Sequence, residues 1–366
     1  MPSGNVSSKG NSYSNAVDPN IIFQRALAIA NNGDETVDLK ECLKYELGAT
    51  PMSFFDTDGF MRANNKANVS KFLLEESVCM INHSFKFVSS VQIIVVDGGM
   101  LLHRLKWEKN ASVKSIIDTY VVYVSNHYGK EIHIVFDGYL ESSTKDHCHQ
   151  RRQPISGPRI DFDIQTQILS TKDVFLSNNM NKQKFVDFLS RALKDAGHFV
   201  TNCPEDADLE IVKTAVDMLT QSNIVVVADD TDILVLLLHY LKDGYAENVL
   251  VMFRPSSNTA IEINELVSKV PAGTLDLLLL AHAGSGCDTV SALSGIGKTK
   301  LVKLIQKGVL GSTLSTFYSD MFDEIQLRLV GMKLLIKLYT SDSKHSTMEE
   351  HRVMYVVTTV CQNIIL

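Results

Sequence analysis

Four apolar runs lead into carboxylates, and this arrangement constrains the chain more than any other feature. Val91–Val96 leads into Asp97-Gly98, and Ile132–Phe136 into Asp137-Gly138. Phe199–Val200 leads through Cys203-Pro204 into Glu205–Asp208, and Ile224–Ala228 into Asp229–Asp232. Val91–Val96 and Ile224–Ala228 read as strands buried in a parallel sheet, Ile132–Phe136 as a second strand, and Phe199–Val200 as a short one. Helical stripes alternate with them, at Ser112–Tyr128, at 184–196, from Pro204 through Leu219, and at Ile233–Leu241. A further strand is expected at Val249–Phe253, with helices at Ile263–Val270 and Leu275–Ala283. The predicted fold class is α/β: a mostly parallel central sheet with helices on both faces.

Composition narrows the function classes. The chain has 366 residues, 45% of them hydrophobic, enough for a sizeable core without staples. Its six cysteines form no C-x-x-C pair, which argues against a zinc ribbon or a disulfide framework and suits a reducing, intracellular compartment. No apolar run approaches the ~18–20 residues of a membrane span, and residues 1–20 are polar without a secretory core. The net charge of −7 excludes a generic basic nucleic-acid binder, so charge placement must carry any such role.

In an open α/β sheet, ligands bind beyond the carboxyl ends of the strands. Carboxylates gathered there repel one another unless a cation compensates them, and oxygen ligands suit Mg²⁺ or Mn²⁺. Two such ions about 3.5–4 Å apart suit phosphodiester hydrolysis. Each acid also has a plainer reading. Asp97 and Asp137 can be turn residues, Asp206 and Asp208 can complement a helix dipole, and Asp288 can be an N-cap. Glu205 with Asp208 is a rival pairing, because i and i+2 do not share a helix face. Asp230 and Asp232 are hardest to explain structurally: Asp229-Asp230-Thr231-Asp232 has no Lys or Arg in sequence beside it.

Further along, Gly284–Asp288 precedes Gly295-Ile296-Gly297-Lys298-Thr299-Lys300. The glycines make a tight turn, and the helix after it offers free N–H groups to a phosphate. Residues 289–319 contain no Asp or Glu and carry Lys298, Lys300, Lys303 and Lys307. The Gly-Lys-Thr ending is not a Walker A loop, since Ala292 stands where its first Gly would be and no strand precedes it. His147-Cys148-His149 lacks a fourth zinc ligand and reads as an exposed loop.

Together, these motifs over about residues 91–310 resemble the flap-endonuclease/XPG-type nucleases, a branch of the PIN-like superfamily. The resemblance implies a metal site of seven acids: Asp97, Asp137, Asp206, Asp208, Asp230, Asp232 and Asp288, with Asp at 206 and 208 where the family usually has Glu. It implies catalytic roles for Lys145 and Arg151 after Phe136-Asp137-Gly138. It also implies a helix–two-turn–helix that grips duplex DNA through Gly295, Gly297, Lys298, Lys300 and Lys303, with K⁺ at the hairpin.

The implied organisation is an N-terminal extension (1–90) without chemistry of its own, a nuclease core (91–283), the hairpin element (284–310) and a C-terminal helical region (311–366). Within an inserted arch-like segment (138–183), residues 138–180 hold five basic and five acidic residues, and Ile160-Asp161-Phe162-Asp163-Ile164 alternates like a β-hairpin. No sliding-clamp peptide is visible at Cys361–Leu366. The expected activity is that of a Mg²⁺- or Mn²⁺-dependent, structure-specific DNA nuclease, partnered by branched or duplex-containing DNA in the nucleus. A non-cutting, nuclease-like binding module and a PIN-type ribonuclease are the alternatives.

Overall fold

The structure, a computed structural model, describes residues 53–56, 59–77, 92–139, 157–219, 222–244, 251–253, 260–308 and 323–339, with Thr347 and a few helical positions within 21–29. The chain divides into two compact units, residues 63–292 with 297–309, and residues 1–62 with 293–296 and 310–366.

The larger unit is built on six strands: β1 (Gln92–Asp97), β2 (His133–Phe136), β3 (Phe199–Asn202), β4 (Asn223–Val227), β5 (Val251–Phe253) and β6 (Ile261–Glu262). Their order across the sheet is β3-β2-β1-β4-β5-β6. The first five run parallel, and β6 closes the edge antiparallel to β5. The α/β expectation therefore holds, although two-residue β6 is too short to read from sequence.

Side-chain alternation divides the core into two layers. Val95, Val135, Ile224 and Val226 face one way. That layer is covered by α1 (Ala67–Ser77), α6 (Asp208–Asp217), α7 (Thr231–Leu241) and α8 (Ile263–Lys269). Ile94, Val96, Ile134, Phe136, Val225 and Val227 face the other way. Their cover is α2 (Gly98–Arg104), α3 (Val113–His127), α4 (Lys172–Leu176) and α5 (Asn179–Asp195). Beyond β6 follow α9 (Ala272–Asp276), α10 (Leu278–Gly284) and α11 (Lys298–Gln306). α7 is apolar on nearly every side, and neighbouring elements enclose it.

Three local expectations are corrected. The helix predicted from Pro204 begins at Asp208, and Pro204–Ala207 is irregular. The helix expected over Leu275–Ala283 breaks at Leu277. Residues 160–164 form no strand. Their backbone is satisfied by side chains and by isolated backbone bonds instead: Ile160 N donates to Asn181 Oδ1, Asp163 closes a turn with Gln165 and Thr166, and Ile164 O accepts from Lys114 N. The alternation still has a physical meaning, since Phe162 inserts between Phe175 and Phe188. The predicted Leu39–Leu47 helix and residues 140–156 of the inserted segment lie outside the described residues.

In the smaller unit, Asp56 accepts a turn bond from Gly59 N, and Phe55 pairs with Met61 in an isolated bridge. Ser294 N donates to Ser53 O, and the Tyr339 hydroxyl of α12 (Glu324–Tyr339) donates to Ser294 O. Among the described residues, no helix is long and apolar enough to cross a membrane.

Candidate metal centre

β1 is the central strand at which the chain reverses direction across the sheet: β2 and β3 extend to one side, β4 and β5 to the other. Such switch points leave a crevice at the strands' carboxyl ends. The strand-end acids emerge there.

Asp97 closes β1 and caps α2, accepting a bond from Met100 N at 3.1 Å. Asp137 follows β2; its Oδ1 accepts from Ala207 N at 3.0 Å and its Oδ2 from the Tyr139 hydroxyl at 3.1 Å. The two carboxylates flank Gly99, where a Cβ would meet Asp137 Oδ2 at 3.0 Å and Asp97 Oδ1 at 3.1 Å. Burial first, and then the charge of Asp137, push the Asp97 carboxyl up to about 7. The Lys182 ammonium sits 3.8 Å from the centre of the Tyr139 ring and feels both acids, yet burial holds it below the ordinary lysine range.

The second group comes from α6, α7 and the loop after α10. Asp208, Asp230 and Asp232 present carboxylate oxygens within 4.8 Å of one another, the one such cluster among the described residues. Asp230 caps α7 by accepting from Asp232 N at 2.9 Å. Asp232 Oδ1 lies 2.7 Å from His282 Nε2. The ammonium of Lys66 lies 2.7 Å from Asp232 Oδ2, 2.6 Å from Asp288 Oδ2 and 3.6 Å from Asp230 Oδ2. Burial would lower the Lys66 pKa, but the charge of Asp230 and the bonds to Asp232 and Asp288 outweigh it and hold the ammonium above its usual range. Burial raises Asp232, but the bonds from His282 and Lys66 prevail and hold it well below the carboxylate range. Asp230 is raised by burial and then by Asp232.

These placements sort the sequence-derived residues. Asp208, Asp230 and Asp232 converge, Asp288 joins through Lys66, and Asp97 pairs with Asp137. Asp206 is exposed, and its carboxylate accepts from Asp208 N at 3.2 Å. Lys145 and Arg151 lie outside the described residues. Gly295, in the smaller unit, is exposed with φ 71°, while Gly297 caps α11. Lys300 and Lys303 are exposed on α11.

Lys298 is a correction: it is 0% exposed and presents no charge to a phosphate. Its ammonium donates to His282 O at 3.1 Å, to Ser285 Oγ at 3.4 Å and to Gly286 O, which satisfies carbonyls at the end of α10. Burial pulls its pKa down to about 8. The N-terminal extension is a second correction. It was expected to carry no chemistry, yet it contributes Lys66. Lys66, His282, Tyr139 and Lys182 were all missed; the lone His in an apolar helix was the visible signal for His282.

A hard cation fits this donor set. The group is carboxylate-rich, and an ammonium already stands among three of its oxygens as a protein-supplied cation.

Metal-free stability should carry the mark of Asp97. Its folded pKa is raised, so its stabilising contribution is complete below the unfolded value near 3.8 and is lost as pH rises through about 7. Asp97→Asn keeps the N-cap and cannot ionise. In chelator, the variant's stability relative to wild type should therefore improve between pH 5 and pH 8. Asp97 is half-buried, so solvent screening trims the gain to on the order of 2 kcal/mol. Thermal melts across that range provide the check, and a pH-independent difference would refute the desolvation argument.

No protein-family model matches the sequence, and no curated protein matches it significantly. Solved structures with a similar fold exist at low identity. The catalytic core of Rad2 in complex with DNA substrate is 12% identical with TM-score 0.42, over 75% of this chain and 79% of that one. The bacteriophage T5 D15 flap endonuclease, in a complex with DNA and metal ions, is 13% identical with TM-score 0.39, over 67% and 86%. The Holliday junction-resolving enzyme GEN1, with product DNA and Mg²⁺, is 13% identical with TM-score 0.39, over 77% and 56%. These likenesses are distant, and the functional reading rests on the residues themselves.

Proposed function

We propose that this chain is a divalent-metal-dependent nuclease that hydrolyses phosphodiester bonds in structured DNA. The observation that carries the reading is the convergence of Asp208, Asp230 and Asp232, together with the pairing of Asp97 and Asp137 where β1 and β2 end. Asp208, Asp230, Asp232 and Asp288 would hold one Mg²⁺ or Mn²⁺, and Asp97 with Asp137 a second. Bound there, such ions supply an activated water and neutralise charge on the phosphate.

The chain's own residues prepare the site for this. Tyr139 and Ala207 N orient Asp137, and His282 orients Asp232. Lys182, beside Tyr139, is the described cation near the Asp97–Asp137 side that can face a scissile phosphate. Lys145 and Arg151 remain part of the proposal through the family resemblance alone. Lys300 and Lys303 on α11, with Lys307 at its C-cap, form an exposed basic face that suits a phosphate backbone. Lys298 has no part in that contact. Action on DNA implies a nuclear location.

The test is cleavage of flap, gapped, hairpin and single-stranded DNA, with an RNA control, in Mg²⁺, in Mn²⁺ and in excess chelator. Cutting of the DNA substrates in either ion and none in chelator is expected. Undiminished cutting in chelator would sink the metal mechanism, and preference for RNA would favour a ribonuclease.

A further inference from the structure

We propose that Lys66 is the resident cation of the Asp230–Asp232–Asp288 side of this centre, and that a divalent ion enters there only in exchange for its ammonium. The inference rests on the metal-centre reading above and adds a tethered competitor to it.

Geometry favours the exchange. The ammonium lies 2.7 Å from Asp232 and 2.6 Å from Asp288. A Mg²⁺ bound by the same oxygens would need distances of about 2.0–2.1 Å, in the volume the ammonium fills. Asp232 is engaged on both sides: Oδ1 faces His282 and Oδ2 faces Lys66. An ion that takes Asp232 competes with one of these partners for the same oxygen. His282 is the harder to move, because it is buried within α10 and its carbonyl receives the Lys298 ammonium.

Lys66 is also held in place rather than waving from the surface. Its side chain is 16% exposed. Just before it, Asn64 Nδ2 donates to Ser285 O at 3.0 Å, in the loop that carries Asp288. Across it, Asn65 Oδ1 accepts from Ala67 N at 3.1 Å at the start of α1. Val69 and Leu73 then anchor α1 in the core, each 1% exposed. The segment so places a cation where the acids would otherwise repel, and the acidic centre folds before any metal arrives. Metal entry is thereby coupled to release of this side chain, and the apparent affinity is the intrinsic one multiplied by the fraction of molecules in which Lys66 is already released.

Two measurements test this without reading activity. In the wild type, lysine acetylation followed by peptide mass spectrometry should find Lys66 protected in chelator. Its labelling should rise about tenfold as Mn²⁺ is added, while exposed Lys194 on α5 stays constant as the internal reference. In Lys66→Met, calorimetric Mn²⁺ titration should show about tenfold tighter binding or an additional ion. Mn²⁺ should also raise the variant's melting temperature more than the wild type's. Should the neutral variant fold poorly without metal, the wild-type labelling alone decides the matter. Mn²⁺ binding with unchanged Lys66 labelling and equal affinity in the variant would overturn the role of Lys66 and leave the metal centre standing. No Mn²⁺ binding to either protein would overturn the metal centre, and this inference with it.

Discussion

Asp230→Asn is expected to lower the single-turnover cleavage rate in saturating Mg²⁺ by roughly 10²–10³-fold or more, the scale of losing a preorganised charge at a reacting centre. The substitution separates chemistry from folding. Asp230 caps α7 through one carboxylate oxygen, and an Asn carbonyl makes the same bond to Asp232 N. The lost charge is one that burial and Asp232 already disfavour. The metal-free melting temperature should therefore hold or rise slightly. Asp232→Asn should inactivate equally but lose stability, because it breaks paired contacts to Lys66 and His282. Cleavage by Asp230→Asn within tenfold of wild type would remove Asp230 from the metal site. A melting temperature many degrees lower in chelator would make its role structural.

Gly138→Ala is expected to cost about 3 kcal/mol or more, at or above the top of the range for overpacking. A Cβ there would lie 1.9 Å from Pro204 O and 2.7 Å from Cys203 O, and backbone atoms cannot rotate aside. Gly138 N also donates to Glu205 O at 2.6 Å, which joins the end of β2 to the loop before α6. Pushing that loop away would separate Asp137 from Ala207 N and carry Asp208 with it. Activity should fall beyond what the lost stability explains. Gly273→Ala in α9 is the control: its Cβ would meet nothing within 4 Å, so its melting temperature should change little. Equal melting temperatures for Gly138→Ala and wild type would show that the close approach is absent in solution.

The strands and their terminal acids were legible because a strand buried on both faces must be continuously apolar, and the acids follow it directly. Asp97, Asp137, Asp230 and Asp232 needed nothing more. The helix start at 208 was misplaced because Pro204 suits a first helical turn, whereas here Pro204 and Glu205 carbonyls meet Gly138. Lys298 carried a signal that the basic run concealed. With Leu301, Val302 and Ile305 it falls at i, i+3, i+4 and i+7, the buried stripe of α11. Lys66 had no local signature. It lies 166 positions from Asp232, and only the docking of α1 brings them together.

The sheet order also sets a schedule for synthesis. β1 is central, yet its partner on one side is β4, with Ile93 beside Ile224 and 131 positions of chain between them. At ~5–20 residues per second, that interval lasts roughly 7–26 s, during which β1 has been made and β4 has not. For that time an apolar strand presents an unpaired edge, the kind of surface that recruits other strands. That edge of β1 must therefore be shielded, by the chain made in the interval or by a chaperone, before the centre's last acids exist. Rapid overproduction would lengthen the queue of such half-made chains, and a soluble yield that improves with slower translation is the natural consequence of this topology.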